Sequence, residues 1–244
     1  MRFDFVGSVL MASVMGYANA GATIYQSSYV ANGSFCVDEN ARDLFTALND
    51  LRTKGTKSSY YTGFKTACTT VASDGTWTTA SGAKILTTKA NAAAALDYVN
   101  KAAAVATPLN WSTGLSAAGQ KLFDSWFTTG TQGLSDSSGQ TSTARAGNFG
   151  SLGTSSLAEF ATYAKLEYFS VQDAVNALLI ADGDSTGIVR TALFDSKNTV
   201  ASAYNGFKDP AAGAAASERK YMVEFQAART FTANASINAA CTVT

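Results

Sequence analysis

Apolar residues first recur at helical spacing between positions 38 and 54. Ala41, Leu44, Leu48 and Leu51 fall on one face of a helix with about 3.6 residues per turn. Acidic residues begin this segment and basic residues end it, which complements the helix dipole. The pattern predicts an amphipathic helix whose apolar face joins the core.

Three later segments are also predicted to be helical. The alanine-rich segment 91–104 has a high intrinsic helix propensity. Pro108 ends that segment, and apolar positions within Leu115–Trp126 then follow helical spacing. Beyond Ser170, a further apolar stripe of helical period runs to Leu179.

Strand patterns appear only late in the chain. The segments 198–204 and 220–226 are rich in the residues that favour strands, whereas Ser156–Glu159 has the spacing of a capping box and predicts another helix start. Helices first and strands late are typical of the α+β class. The long Gly/Ser/Thr-rich stretch 129–155 is predicted to be a loop within one domain, because the core needs the elements on both sides of it.

Residues 1–20 have the organisation of a secretory signal peptide. A short charged start precedes an apolar run from Phe5 to Tyr17, and the small residues Ala18-Asn19-Ala20 follow it. We expect cleavage after Ala20, an amino-terminal extension over 21–37 and a secreted mature chain. No later segment contains about 18 uninterrupted apolar residues, so no membrane span is expected after signal cleavage.

Charge and cysteine content narrow the classes of partner. The chain has 18 Lys and Arg residues against 18 Asp and Glu residues, without a basic cluster in the sequence, which disfavours nucleic-acid binding. Its three cysteines are Cys36, Cys68 and Cys241. In an oxidising compartment, an odd number leaves either one bridge and a spare thiol or an intermolecular bond. Both alternatives stay open.

Three sequons are candidate sites of N-glycosylation in a eukaryotic secretory pathway. They begin at Asn32, Asn110 and Asn234. Asn110 is the weakest candidate, because it precedes a tryptophan that we expect to be buried.

Four stretches resemble the CAP superfamily, the SCP-like extracellular domain of cysteine-rich secretory, antigen 5 and pathogenesis-related proteins. The first contains an Asn-x-x-Arg signature, the second a Pro-Leu-x-Trp helix entry, the third a helix and turn, and the fourth a terminal strand. The resemblance implies an α-β-α sandwich over 38–228, with a small, mainly antiparallel sheet between helical layers and a tail over 229–244. The stretches are LNDLRTKG (48–55), TPLNWSTGLSAAGQ (107–120), AVNALLIADGDSTGIVRTALF (174–194) and YMVEFQA (221–227).

The family's cleft often contains two histidines and two acidic residues, whereas this chain contains no histidine. The resemblance places Leu134 and Val189 at the histidine positions, keeps Arg190, and matches Glu159 with an acidic position. Glu159 has a second interpretation as the closing residue of the capping box, which we favour. A vestigial cleft without metal or cofactor is therefore expected, because imidazole is the usual neutral ligand of such sites.

These observations favour a secreted, non-catalytic protein. Its expected role is extracellular recognition or structural assembly, with a second copy or another extracellular protein as partner. An extracellular lipid- or sterol-binding protein is the alternative implied by the resemblance. A metal-dependent hydrolase with an atypical site is a weaker alternative.

Overall fold

The computed structural model describes residues 39–130, 132–165, 169–182, 187–208 and 220–234. Seven α-helices in these ranges are α1 (Glu39–Lys54), α2 (Tyr61–Thr69), α3 (Lys89–Lys101), α4 (Thr113–Thr129), α5 (Ser142–Gly147), α6 (Val171–Ile180) and α7 (Ile188–Phe194). The strands are β1 (Thr76–Thr78), β2 (Lys84–Leu86), β3 (Asn110–Trp111), β4 (Gly150–Ser151), β5 (Leu157–Lys165), β6 (Val200–Lys208), β7 (Lys220–Ala228) and β8 (Thr232–Ala233). The predicted signal peptide and the extension over 21–37 lie outside the described residues.

Local sequence signals account for the predicted helices. The stripe of Ala41, Leu44, Leu48 and Leu51 is buried along α1, as its period predicts. Ser112 accepts a hydrogen bond from the Leu115 amide (3.3 Å) at the start of α4. Such caps satisfy amides that have no partner within the helix.

The main sheet has four strands in the order β3-β6-β7-β5. The short β3 pairs with β6 in parallel, and the β6–β7 and β7–β5 pairs are antiparallel. The β1–β2 hairpin and the β4–β8 pair form separate two-stranded sheets. The strands predicted over 198–204 and 220–226 are thereby confirmed as β6 and β7.

Helices cover both faces of this sheet. One face carries Val223 and Phe225, which belong to the large core cluster that also contains α1, α2, α6 and α7 residues. The opposite face carries Tyr204 and Met222, which pack with Leu122 and other apolar residues of α4. This layering confirms the predicted α-β-α sandwich of the α+β class, with a mainly antiparallel central sheet.

Arg52 joins three parts of the chain that are distant in sequence. Its fully buried guanidinium donates to the backbone carbonyl oxygens of Thr107 (2.9 Å), Leu193, Asp195 (3.1 Å) and Asn198 (3.1 Å). Thr107 lies shortly before β3, and the other three acceptors lie at or just after the end of α7. All four lie within or beside the stretches that carry the CAP resemblance. The arginine is therefore a structural anchor of the α1 layer.

The prediction of a helix start at Ser156–Glu159 is wrong. These residues enter β5, which pairs with β7 over nine consecutive positions from Leu157 to Lys165. Tertiary pairing outweighs the local capping signal here, because each position of β5 gains a partner in the sheet. Beyond residue 228, the chain continues into β8, which pairs with β4.

Candidate functional site

Strand β5 forms one edge of the main sheet. In the described part of the chain, β7 is its only strand partner, so its other edge faces away from the sheet. Ala158 and Ala161 are half-buried rather than buried, although alanine has a small side chain. The surface of β5 is thus only partly covered in the described part of the chain.

Two adjoining clefts follow this edge and together form what we call the β5 groove. The α7 half has a volume of about 730 Å³ and is lined by Leu157–Glu159 together with residues of α7. The hairpin half has a volume of about 800 Å³ and is lined by Phe160–Lys165 together with residues of β2. Leu134 lines both halves, and every residue of β5 borders one of them.

Two strongly exposed apolar side chains lie in this groove. Leu86 is 79% exposed and lines the hairpin half, and Ile188 is 47% exposed and lines the α7 half. Among the described residues these are the large hydrophobic side chains with the greatest exposure. Exposed apolar side chains that line concave surfaces are typical of binding sites.

A buried ion pair supports the floor of the α7 half. Glu159 pairs with the fully buried Arg145 of α5 and accepts a hydrogen bond from the Ser142 hydroxyl. Arg145 also donates to the backbone carbonyl oxygens of Ala118 (3.0 Å) and Leu134 (2.8 Å). The pair therefore ties the Leu134 loop and α4 to the edge strand.

A second carboxyl group lies directly behind Glu159. Burial raises the pKa of Glu224 well above its ordinary value, and the neighbouring charge and hydrogen bonding of Glu159 raise it further. Gln226 donates to Glu224 Oε1 (2.6 Å). Glu224 consequently keeps its proton at pH values where an ordinary glutamate has lost it.

The four residues of the predicted cleft separate into two pairs. Leu134 and Glu159 line the groove, as does Ala192 of α7. Val189 and Arg190 are fully buried and do not line it. Val189 belongs to the large core cluster.

Asp182 organises the start of α7. Its Oδ2 accepts hydrogen bonds from the backbone amides of Val189 (2.7 Å) and Arg190 (3.1 Å). Burial raises the pKa of Asp182 to about 6, although these hydrogen bonds and the charge of Arg190 lower it. The carboxylate thus caps the helix that carries Ile188 into the groove.

The groove also uses residues that sequence reasoning missed. Ser142 and Arg145 lie in the stretch predicted to be a loop, and no local pattern marks them. Glu224 and Gln226 alternate with apolar residues in β7, so both side chains lie on the same face of the strand. Because α4 covers that face, these polar groups are buried.

The cysteines and sequons are only partly described. Cys68 is a free, buried thiol on α2, and burial raises its pKa to about 12. Cys36, Cys241 and Asn32 lie outside the described residues. Asn110 and Asn234 are exposed, and each side-chain amide donates to a backbone carbonyl.

No protein-family model matches the chain, and neither a curated protein nor a solved structure is significantly similar to it. The CAP resemblance therefore stays a prediction. Within the described ranges, no cluster of three or more His, Cys, Asp or Glu side chains is arranged to hold a metal ion. None of the helices described combines the length and apolar character needed to cross a membrane.

Proposed function

We propose that this chain is a non-catalytic extracellular recognition protein of CAP-like fold, which binds an extended segment of a protein partner in the β5 groove. The observation that carries the proposal is the position of Leu86 and Ile188, the two most exposed large apolar side chains described, in the two clefts that follow the edge strand β5. An extended segment can add to such an edge through backbone hydrogen bonds, while pockets beside it select side chains.

The dimensions of the groove suit this mode of binding. A strand rises about 3.3 Å per residue, so the nine residues of β5 extend over roughly 26 Å. A partner segment of about eight or nine residues would span that length. Alternate side chains of the segment would then contact the walls of the groove. Leu86 lies in the hairpin half and Ile188 in the α7 half.

The buried carboxyl pair supports a structural role for Glu159 rather than a catalytic one. Both of its oxygens are engaged, one by Arg145 and the other by Ser142. Glu224 is 1% exposed and does not line the groove. A general acid or base must reach its substrate directly or through one water molecule, which the burial of Glu224 prevents, and Glu159 faces the groove with both oxygens already engaged.

The lipid-binding alternative is less favoured by this geometry. A bound acyl chain would lie against the outer backbone edge of β5 and would give its amide and carbonyl groups no hydrogen-bond partner. Burying such groups without partners is costly. A peptide backbone supplies those partners, and we therefore favour a protein ligand.

A display library of random nine-residue peptides tests the proposal. We expect enrichment of peptides that bind the purified chain and slow hydrogen exchange at the outward amides of β5. Leu86→Asp and Ile188→Asp should each weaken binding about tenfold or more, since an apolar contact of this size is worth about 1.5–3 kcal/mol.

Ala93→Asp on the exposed surface of α3 is the matched control, because it adds the same charge outside the groove. It should leave peptide affinity unchanged. The proposal is wrong if no peptide is enriched, or if bound peptides are insensitive to both groove substitutions.

A further inference from the structure

Strand β5 lacks the features that usually shield the edge of a sheet. Prolines, charged side chains and β-bulges commonly protect such edges from other strands. β5 pairs with β7 at nine consecutive positions without a bulge, and its segment Phe160–Ala164 contains neither proline nor a charged residue. Within the described ranges, the backbone of Leu157–Ala164 makes no hydrogen bond outside its pairing with β7. A regular, uncharged edge of this kind favours pairing with another strand.

The residues of β5 suit pairing of the strand with its own copy. Two copies of LAEFATYAK that run antiparallel about a two-fold axis at Ala161 pair all nine positions. The opposite pairs are then Leu157–Lys165, Ala158–Ala164, Glu159–Tyr163, Phe160–Thr162 and Ala161 with its own copy. Phe160–Thr162 joins an aromatic to a β-branched side chain, which stabilises neighbouring strands. No charged residue faces one of like charge, so the pairing meets no electrostatic penalty.

The walls of the β5 groove complement each other under the same symmetry. Both β2 and α7 pack on the face of the sheet that carries the large core cluster, through Ile85 and Val189 respectively. A two-fold axis between antiparallel neighbouring strands is perpendicular to the sheet, so each layer stays on its own side. The hairpin half of one protomer then lies beside the α7 half of its partner. Leu86 of one protomer is thereby placed beside Ile188 of the other, and the symmetry repeats this contact.

We propose that the β5 groove binds the β5 strand of a second copy of this chain, which joins two four-stranded sheets across a two-fold axis at Ala161. This inference rests on the proposed function, because it names the partner whose extended segment occupies the groove. More than twenty residues line the two halves, and an interface of standard size uses about 20–30 residues of each partner. An unrelated partner would not require the symmetric placement of the alanines in β5.

Ala161→Cys tests the register through a disulfide between protomers. Opposite residues of antiparallel strands have Cα atoms about 4.5–5.5 Å apart, which suits a disulfide. Ala158→Cys is the matched control, because its copy would lie six positions away along the strand, or about 20 Å. Both alanines are half-buried. In a chain with Cys36→Ser and Cys241→Ser, mild oxidation should link Ala161→Cys into a covalent dimer about tenfold faster than Ala158→Cys, since proximity raises the effective concentration.

Analytical ultracentrifugation of the chain without added cysteines measures the association itself. We expect a reversible dimer with a Kd in roughly the micromolar range. Leu86→Asp and Ile188→Asp should each raise this Kd about tenfold or more, because the symmetry removes each apolar contact twice. Ala93→Asp on the exposed surface of α3 should leave the Kd unchanged. Circular dichroism of all variants verifies that they are folded.

The possible results separate the two proposals. A chain that stays monomeric at about 100 µM overturns the self-pairing, and enrichment of peptides from the library would then leave recognition of another protein standing. Equally rapid linking of both cysteine variants, or a dimer insensitive to both groove substitutions, also overturns the two-fold arrangement. A dimer that links selectively through Ala161→Cys while the library yields no peptide would confirm the self-pairing and overturn general peptide recognition. A monomer that enriches no peptide overturns both proposals.

Discussion

The side-chain amide of Asn49 makes two hydrogen bonds with the backbone of Leu109. Its Nδ2 donates to the Leu109 carbonyl oxygen (3.0 Å), and its Oδ1 accepts from the Leu109 amide (2.8 Å). One side chain on α1 thereby satisfies both backbone groups of a buried residue that directly precedes β3. The contact connects the first two stretches of the CAP resemblance.

Asn49→Leu should destabilise the fold by about 2–4 kcal/mol, because it leaves the buried amide and carbonyl of Leu109 without partners. Urea denaturation followed by tryptophan fluorescence measures the change. Asn100→Leu on the exposed surface of α3 is the control and should cost less than about 1 kcal/mol. An unchanged midpoint for Asn49→Leu would contradict the proposed anchoring role.

The two buried glutamates should differ strongly in how much stability the same substitution removes. Glu159→Gln leaves the charge of Arg145 unpaired inside the protein, which typically costs about 3–5 kcal/mol. Glu224→Gln replaces a protonated carboxyl by an amide of similar shape and should cost less than about 1 kcal/mol at neutral pH. Thermal denaturation of both variants measures the contrast, and a larger loss for Glu224→Gln would reverse our assignment of the proton.

Asp182 should make stability fall as the pH rises from about 4 to about 6. An unfolded aspartate releases its proton near pH 4, whereas the pKa of Asp182 in the folded chain is raised to about 6. Between these values the folded state binds more protons, so the free energy of unfolding decreases with rising pH.

Urea denaturation of wild type and Asp182→Asn across this range measures the effect. The stability of the wild type relative to the variant should decrease from pH 4 to pH 6 and then level off. A difference that stays constant over the range would show that Asp182 has an ordinary pKa in the folded state.

Elements with a strong local signal were predictable from the sequence. The apolar stripes of α1, α4 and α6 and the strands β6 and β7 were recognisable because one short segment contains the whole pattern. The strand β5 was missed, since Ser156 and Glu159 imitate a capping box and the pairing partner lies about sixty residues later in β7.

The groove was only partly predictable for a related reason. Leu134 and Glu159 were placed at the cleft by the resemblance alone, and the structure brings them to one surface. Arg145, which determines the environment of Glu159, carries no recognisable motif in sequence. Its role depends on burial and on a contact between segments, and neither is encoded by local periodicity.

The bonds of Arg52 also bear on how the chain folds while it is being made. Its acceptors extend from Thr107 to Asn198, so the first helix obtains its full set of contacts only after most of the chain has been synthesised. Contacts between distant parts of a sequence form slowly, because a long loop must close first. A fragment that ends before residue 193 therefore lacks three of the four backbone acceptors that hold Arg52.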